Sequence, residues 1–230
     1  MVWTLVAPCA WALGLRRAWR DRCVHWWGSA LVVALGIRVR RVGEIPTGGC
    51  LIVSNHLSYV DILVLASQRP LIFLSKAEVA SWPGIGWMAR AVGVLFVQRG
   101  DKRSLPAVAA LLGAELEAGR AVVLFPEGTS SRGAEVLPFR ASLLAPAAEG
   151  QAPVAYAALS YRTPEGHPAA SQSVCWWGDM TFADHLIRLL KLPYVDAEIR
   201  FGSERFIDRD RKVLAQRLWQ AVQAQFVPVA

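Results

Sequence analysis

Residues 55–61 read Asn-His-Leu-Ser-Tyr-Val-Asp, at the seam between the apolar runs Cys50–Val53 and Ile62–Leu65. Histidine is the side chain best suited to general-base work near neutral pH, and a carboxylate on its second nitrogen fixes the tautomer and stabilises the imidazolium. On a continuous helix His56 and Asp61 would be about 500° apart and would not share a face. They meet only if His56 lies in a strand-to-helix turn and Asp61 in the first helical turn. Ser58-Tyr59-Val60-Asp61 has capping-box spacing with Ser58 as N-cap. Asp61 therefore has two readings, helix cap or orienter of a base, and His56 has two, backbone-bonded loop residue or base.

Two further polar clusters follow apolar runs. Gln98-Arg99-Gly100-Asp101 follows Val94–Val97, and Pro126-Glu127-Gly128-Thr129-Ser130-Ser131-Arg132-Gly133 follows Ala121–Phe125. In open α/β sheets ligands bind beyond the carboxyl ends of strands, so three such clusters carry more weight than one. The chain has no G-x-S-x-G elbow, no Walker A sequence and no G-x-G-x-x-G. A His-Asp pair without a protein nucleophile suits direct transfer, in which a substrate hydroxyl attacks. Asp179 and His185 form a second acid–base pair on paper and are read as structural.

The elements that must position these groups alternate. Short apolar runs at Leu51–Ser54, Leu71–Leu74, Val94–Val97, Ala121–Phe125, Val154–Leu159, Val174–Trp177 and Ala197–Phe201 read as strands. Ser104 to Ala118 reads as a helix with Ser104 as N-cap and Gly119 at its stop, and Asp208–Phe226 as an amphipathic terminal helix. The pattern predicts an α/β fold, a mixed and largely parallel sheet flanked by helices.

The N-terminal part differs in kind. Of a net charge of +7, the first 41 residues carry seven arginines (Arg16, Arg17, Arg20, Arg22, Arg38, Arg40, Arg41) against one acid, Asp21. The remainder is nearly neutral, which argues against a nucleic-acid binder. Met1–Leu15 and Cys23–Ile37 are apolar arms around the Arg16–Arg22 knot, each shorter than the roughly 20 residues that span a bilayer. Trp11, Trp19, Trp26 and Trp27 lie near the arginines. This predicts a membrane-associated helical hairpin in residues 1–46, dipping into one leaflet of an anionic membrane on its cytoplasmic face, with residues 47–230 as the catalytic domain. The alternative is two ordinary helices packed on the domain. Cys9, Cys23, Cys50 and Cys175 have no zinc spacing and read as reduced thiols; no metal or bound cofactor is expected. No basic residue precedes the first apolar stretch, so a signal peptide is not expected.

His56-Leu-Ser-Tyr-Val-Asp61 resembles the H-x-x-x-x-D motif of the glycerolipid acyltransferases, the lysophosphatidate acyltransferase-like proteins. Phe125-Pro-Glu-Gly-Thr129 with Ser131-Arg132 resembles that family's third motif, Leu95–Arg99 the second, and Ala152-Pro153-Val154, more weakly, the fourth. Lys76-Ala-Glu78 ahead of Trp82–Trp87 resembles a lysine-bearing segment between the first two. The resemblance implies that acyl-CoA or acyl carrier protein gives its acyl chain to a lysolipid hydroxyl. It makes His56 the base and Asp61 its orienter. Lys76, Arg99 and Arg132 would hold an anionic headgroup, and Glu127, Gly128 and Thr129 would shape the acceptor pocket. The leading acceptor is 1-acylglycerol-3-phosphate, giving phosphatidate. Ser130, where such enzymes often carry arginine, and the segment Trp176–Met180 with His185 are similar instead to lyso-ornithine lipid acyltransferases, which supplies the alternative acceptor. Two other readings are a thioesterase or lysolipid hydrolase and a catalytically inactive membrane-binding module; the latter has against it that His56, Asp61, Glu127 and Arg132 are all present.

Overall fold

The computed structural model describes residues 16–81, 86, 94–97 and 105–229. The first apolar arm Met1–Leu15, the cluster Gln98–Asp101 with Arg99, and the helix cap expected at Ser104 lie outside them. In chain order the elements are α1 (Arg16–Ala34), β1 (Ile37–Val42), β2 (Cys50–Ser54), α2 (Val60–Ala66), β3 (Leu71–Lys76), a 3-10 turn (Ala77–Ser81), β4 (Leu95–Val97), α3 (Leu105–Glu117), β5 (Ala121–Leu124), α4 (Ala141–Glu149), β6 (Val154–Arg162), α5 (Ala170–Ser173), α6 (Phe182–Leu190), β7 (Val195–Phe201) and α7 (Arg211–Gln225).

The sheet has seven strands in the order β1-β7-β6-β2-β5-β3-β4. β6, β2, β5, β3 and β4 run parallel; β7 is antiparallel to β6 and parallel to β1. Every residue of β2 and β5 is buried, as expected of parallel strands covered on both faces, and this is why both read as unbroken apolar runs. Beyond β2 the chain steps over β5 to reach β3, so the carboxyl ends of β2 and β5 form a switch point, where α/β folds place ligands.

Three expectations change. First, the arginine knot and the second apolar arm form one helix, α1, and residues 37–42, assigned by sequence to the hairpin, are a strand of the sheet. Ile37-Arg-Val-Arg-Arg-Val42 alternates, with Ile37 buried, Val39 half-buried and the arginines exposed; an edge strand with a wet face reads in sequence as a basic patch. α1 joins the core through Val24 and Val32. A Cβ on Gly28 would sit 2.9 Å from Ala66 Cβ, so α1 and α2 cross backbone to backbone there, and the His25 imidazole Nδ1 donates to Ala66 O at the end of α2 (2.8 Å). Among the described residues no helix is long and apolar enough to cross a membrane. Second, Val174–Trp177 is not a strand. It follows the short helix α5 into a turn with Gly178 at φ +62°, and a run of four apolar residues, Val174 and Cys175 buried and Trp176 and Trp177 half-buried, looks alike in either setting. Third, α2 begins at Val60 with Tyr59 in the N-cap position, one residue later than expected, while the capping bonds still come from Ser58 and Asp61: Ser58 Oγ accepts from Val60 N (3.3 Å) and the Asp61 carboxylate from Ser58 N (3.0 Å).

Candidate active site

β2 delivers the chain to the switch point, where Asn55 extends the strand pairing with its side chain. Its Nδ2 donates to Leu159 O (2.9 Å) and its Oδ1 accepts from Leu159 N (2.7 Å), so the buried amide completes the β2–β6 ladder and aims the next residue out of the sheet. That residue is His56, whose side chain is 22% exposed. The imidazole stacks on Phe125 at the end of β5, ring centroids 4.1 Å apart and 14° from parallel. Its Nδ1 donates to Asp61 Oδ2 at 2.7 Å, which leaves Nε2 as the basic nitrogen.

Asp61 sits in the first turn of α2, fully buried. Oδ2 accepts from the amides of Leu57 (2.7 Å) and Ser58 (3.0 Å) as well as from His56. Oδ1 accepts from the Tyr161 hydroxyl on β6 (2.6 Å). One carboxylate thus caps the turn and orients the histidine together, and both readings of Asp61 hold in the geometry. A buried carboxylate survives because four donors replace its water. Tyr161 has no counterpart in the sequence reading. It lies in an apolar strand, and only the β2–β6 register brings it under α2. Its hydroxyl is held well above the usual tyrosine pKa, first by burial and then by the charge of Asp61.

The turn after β5 closes over the pair. Gly128 adopts φ +75° and its amide donates to Phe125 O; a side chain there would be strained. Glu127 is buried, and its Oε1 accepts from the His56 amide (3.3 Å), with the Leu137 amide also facing the carboxyl. Burial pushes the Glu127 pKa up to about 9, the two amides pulling down and Asp61 adding to the rise. Near pH 7 it is a neutral acid beside the Asp61 carboxyl group. Ser131 N donates to His56 O (3.0 Å), tying the turn to the histidine, and Arg132 follows as an exposed side chain with Thr129 exposed on the near side. Lys76 ends β3; Arg99 lies outside the described residues.

A second wall comes from the loop between α5 and α6. Trp176 N donates to Leu57 O (2.8 Å), and the Ser130 hydroxyl donates to Trp176 O. The two features that set this sequence apart, Ser130 and the Trp176 segment, are therefore bonded to each other. Trp176 packs edge-on against Tyr59 and Phe182, and the Tyr59 and Phe182 rings are tilted against each other. His185 is buried and bonds Tyr59 Oη (3.0 Å) and Val174 O (3.2 Å), both ring nitrogens being used inside the wall, and burial lowers its pKa. It makes no pair with Asp179.

The family model described as Acyltransferase matches residues 36–160, a range that begins just before β1. A lyso-ornithine lipid O-acyltransferase of Brucella abortus is 34% identical over 92% of this chain and 84% of its own length. One of Pseudomonas aeruginosa is 41% identical over 75% of this chain; the chain spans 65% of that relative's length. A 1-acyl-sn-glycerol-3-phosphate acyltransferase of Neisseria gonorrhoeae is 28% identical over 89% of this chain and 81% of its length. In fold, the crystal structure of the 1-acyl-sn-glycerophosphate acyltransferase PlsC from Thermotoga maritima superposes with a TM-score of 0.62 at 19% identity, over 91% of this chain and 81% of the other.

Proposed function

The chain belongs to the acyltransferase family, and on that premise we propose that it is a lysolipid O-acyltransferase, taking its acyl chain from a thioester donor, acyl-CoA or acyl carrier protein. His56 Nε2 takes the proton of the lipid hydroxyl as the oxygen attacks the thioester carbonyl. Collapse of the tetrahedral intermediate breaks the C–S bond, and the imidazolium returns the proton to the leaving thiolate. The observation that carries the proposal is the saturated Asp61 carboxylate. With four donors on it and Nδ1–H of His56 among them, it keeps the imidazole in one tautomer and holds its charge through the reaction. Glu127, neutral through burial, shapes the pocket without adding a second negative charge that would compete for the imidazolium.

For the acceptor we favour lyso-ornithine lipid. The relatives so named reach 34–41% identity, and Ser130 brings no cation to the headgroup while its hydroxyl is engaged by Trp176 O. Arg132, with Arg99 and Lys76 as further cations, would meet the headgroup's carboxylate. The phosphate of lysophosphatidate is the second reading, favoured by Phe125–Thr129 and by the Neisseria relative. In this proposal the protein works at an anionic membrane surface on the cytoplasmic side; the exposed Trp26 and Trp27 of α1 support the membrane contact. The test is purified protein with labelled acyl-CoA and both lysolipids, products read by mass spectrometry, for wild type and Arg132→Ala. Acylation of lyso-ornithine lipid, reduced about ten- to a hundredfold in kcat/KM by the substitution, is the expected result. Turnover of lysophosphatidate alone reverses the choice of acceptor, and free fatty acid with neither lipid acylated makes the protein a hydrolase.

A further inference from the structure

Nine large apolar side chains stand exposed among the described residues, and six of them lie on two helices: Trp26, Trp27 and Val33 on α1, and Phe182, Ile187 and Leu190 on α6. These helices are far apart in sequence but end side by side. β1 and β7, which they feed, are parallel neighbours paired from Ile37 and Val195. Gly36 O accepts from Val195 N (3.1 Å), a Cβ on Gly36 would meet Pro193 O at 3.1 Å, and the Arg38 guanidinium lies 3.7 Å from the centre of the Tyr194 ring. At its other end α6 reaches the candidate site: the Phe182 ring is 5.2 Å from that of Tyr59, three residues beyond His56.

α6 itself is divided. His185 and Leu189 are buried, whereas Ile187 and Leu190 are 52% and 60% exposed. Arg188 and Lys191 are exposed beside them, with Asp184 the one acid on the helix and already bonded to the Thr181 cap. An apolar stripe edged by arginine and lysine is what a helix lying in a headgroup layer presents. A face meant for a second copy of the same chain would set these cations against themselves.

We propose that α6 is a second lipid-contacting arm. It forms one face with α1, seats Ile187 and Leu190 in an anionic leaflet with Arg188 and Lys191 at headgroup level, and so brings the Tyr59 side of the site to the lipid from which the acceptor comes. The inference rests on the membrane-surface reading above and extends it to an element that reading does not use.

The test is sedimentation of the full chain with phosphatidylcholine vesicles, with and without phosphatidylglycerol, alongside activity on detergent-dispersed acceptor. Ile187→Ser/Leu190→Ser and, separately, Arg188→Glu/Lys191→Glu alter only exposed positions. Either pair lowers partition onto phosphatidylglycerol vesicles, the apolar pair by about tenfold or more, while turnover of dispersed acceptor and the melting temperature stay at wild-type values. Leu111→Ser, exposed on α3, leaves binding unchanged. If both α6 pairs bind like wild type while Trp26→Ser does not, α1 is the whole contact and the inference falls with the membrane reading intact. If Trp26→Ser also binds like wild type, the membrane reading falls too. A wild-type dimer without lipid that Ile187→Ser/Leu190→Ser converts to a monomer assigns the face to self-association and overturns the proposal.

Discussion

Tyr161→Phe isolates the part of the site that only the fold reveals. The substitution removes one oxygen and keeps the ring, so packing in the buried strand changes little. What it removes is, among the described residues, the one donor to Asp61 Oδ1, while Oδ2 keeps its three. A lost hydrogen bond to a charged group costs about 1.5–3 kcal/mol, and about 1.4 kcal/mol is tenfold in rate. If that energy holds Asp61 in position as His56 takes up charge, kcat falls about ten- to a hundredfold with acceptor KM nearly unchanged. A second reading separates positioning from packing. The titratable groups around Asp61 are His56, Glu127 on the β5 turn, Tyr161 on β6 and Cys175 after α5, and burial keeps the Glu127 acid, Tyr161 and Cys175 neutral near pH 7. With its hydroxyl donor gone, the Asp61 charge falls more fully on the imidazolium, and the acid limb of the kcat/KM profile moves, which a loss of packing alone would not cause. The assay is steady-state acyl transfer from pH 5 to 9 with melting followed in parallel. A variant that melts lower yet keeps both wild-type kcat and the wild-type acid limb would refute the positioning role.

His56→Ala lowers transfer roughly 10²–10⁴-fold with an unchanged melting temperature; wild-type turnover in it removes His56 from the mechanism. Asp61→Asn keeps an oxygen for the turn amides of Leu57 and Ser58 and an N–H for Tyr161 Oη, so it loses comparable activity with little loss of stability; unfolding would make the capping role dominant. Glu127→Gln tests the neutral acid through linkage. The folded carboxyl is held near 9 against about 4.5 for the free group, so its favourable contribution is intact below 4.5 and is lost progressively as pH rises to 9. The melting advantage of the Gln variant over wild type therefore grows from pH 5 to 9, and an advantage flat with pH means Glu127 is ionised in the fold. Gly133→Ala forces a side chain at φ +82° to within 2.6 Å of Val229 Cγ2; it displaces the C-terminal residues that bond Gly133 O, costs more than about 1 kcal/mol, and raises acceptor KM because the loop carrying Arg132 moves with it.

What the sequence made legible was local. Buried parallel strands announce themselves as apolar runs, and H-x-x-x-x-D places its two groups correctly because the strand–turn–helix that joins them is contained in six residues. The unread parts depend on register. Tyr161 reaches Asp61 across 100 residues of chain, and nothing near position 161 marks it. Ser130 was visible as a missing arginine, but its bond to Trp176 O needed two loops brought together. β1 hid behind its arginines because an edge strand shows its wet face. Val174–Trp177 misled because burial without periodicity does not distinguish a turn from a strand.

The position of β1 has a consequence in time. Its pairing partner, β7, lies about 150 residues later in the chain, and ribosomes add roughly 5–20 residues per second. For some 8–30 s, then, β1 has emerged with no neighbour to bond. An unpaired apolar edge on a crowded polysome is an invitation to join another nascent chain. Arg38, Arg40 and Arg41 withdraw that invitation by charge repulsion between like strands. When β7 arrives it brings Glu198, whose Oε2 meets Arg40 at 3.3 Å. The same arginines that pass for a nucleic-acid or membrane patch in sequence would thus guard the edge of an unfinished sheet.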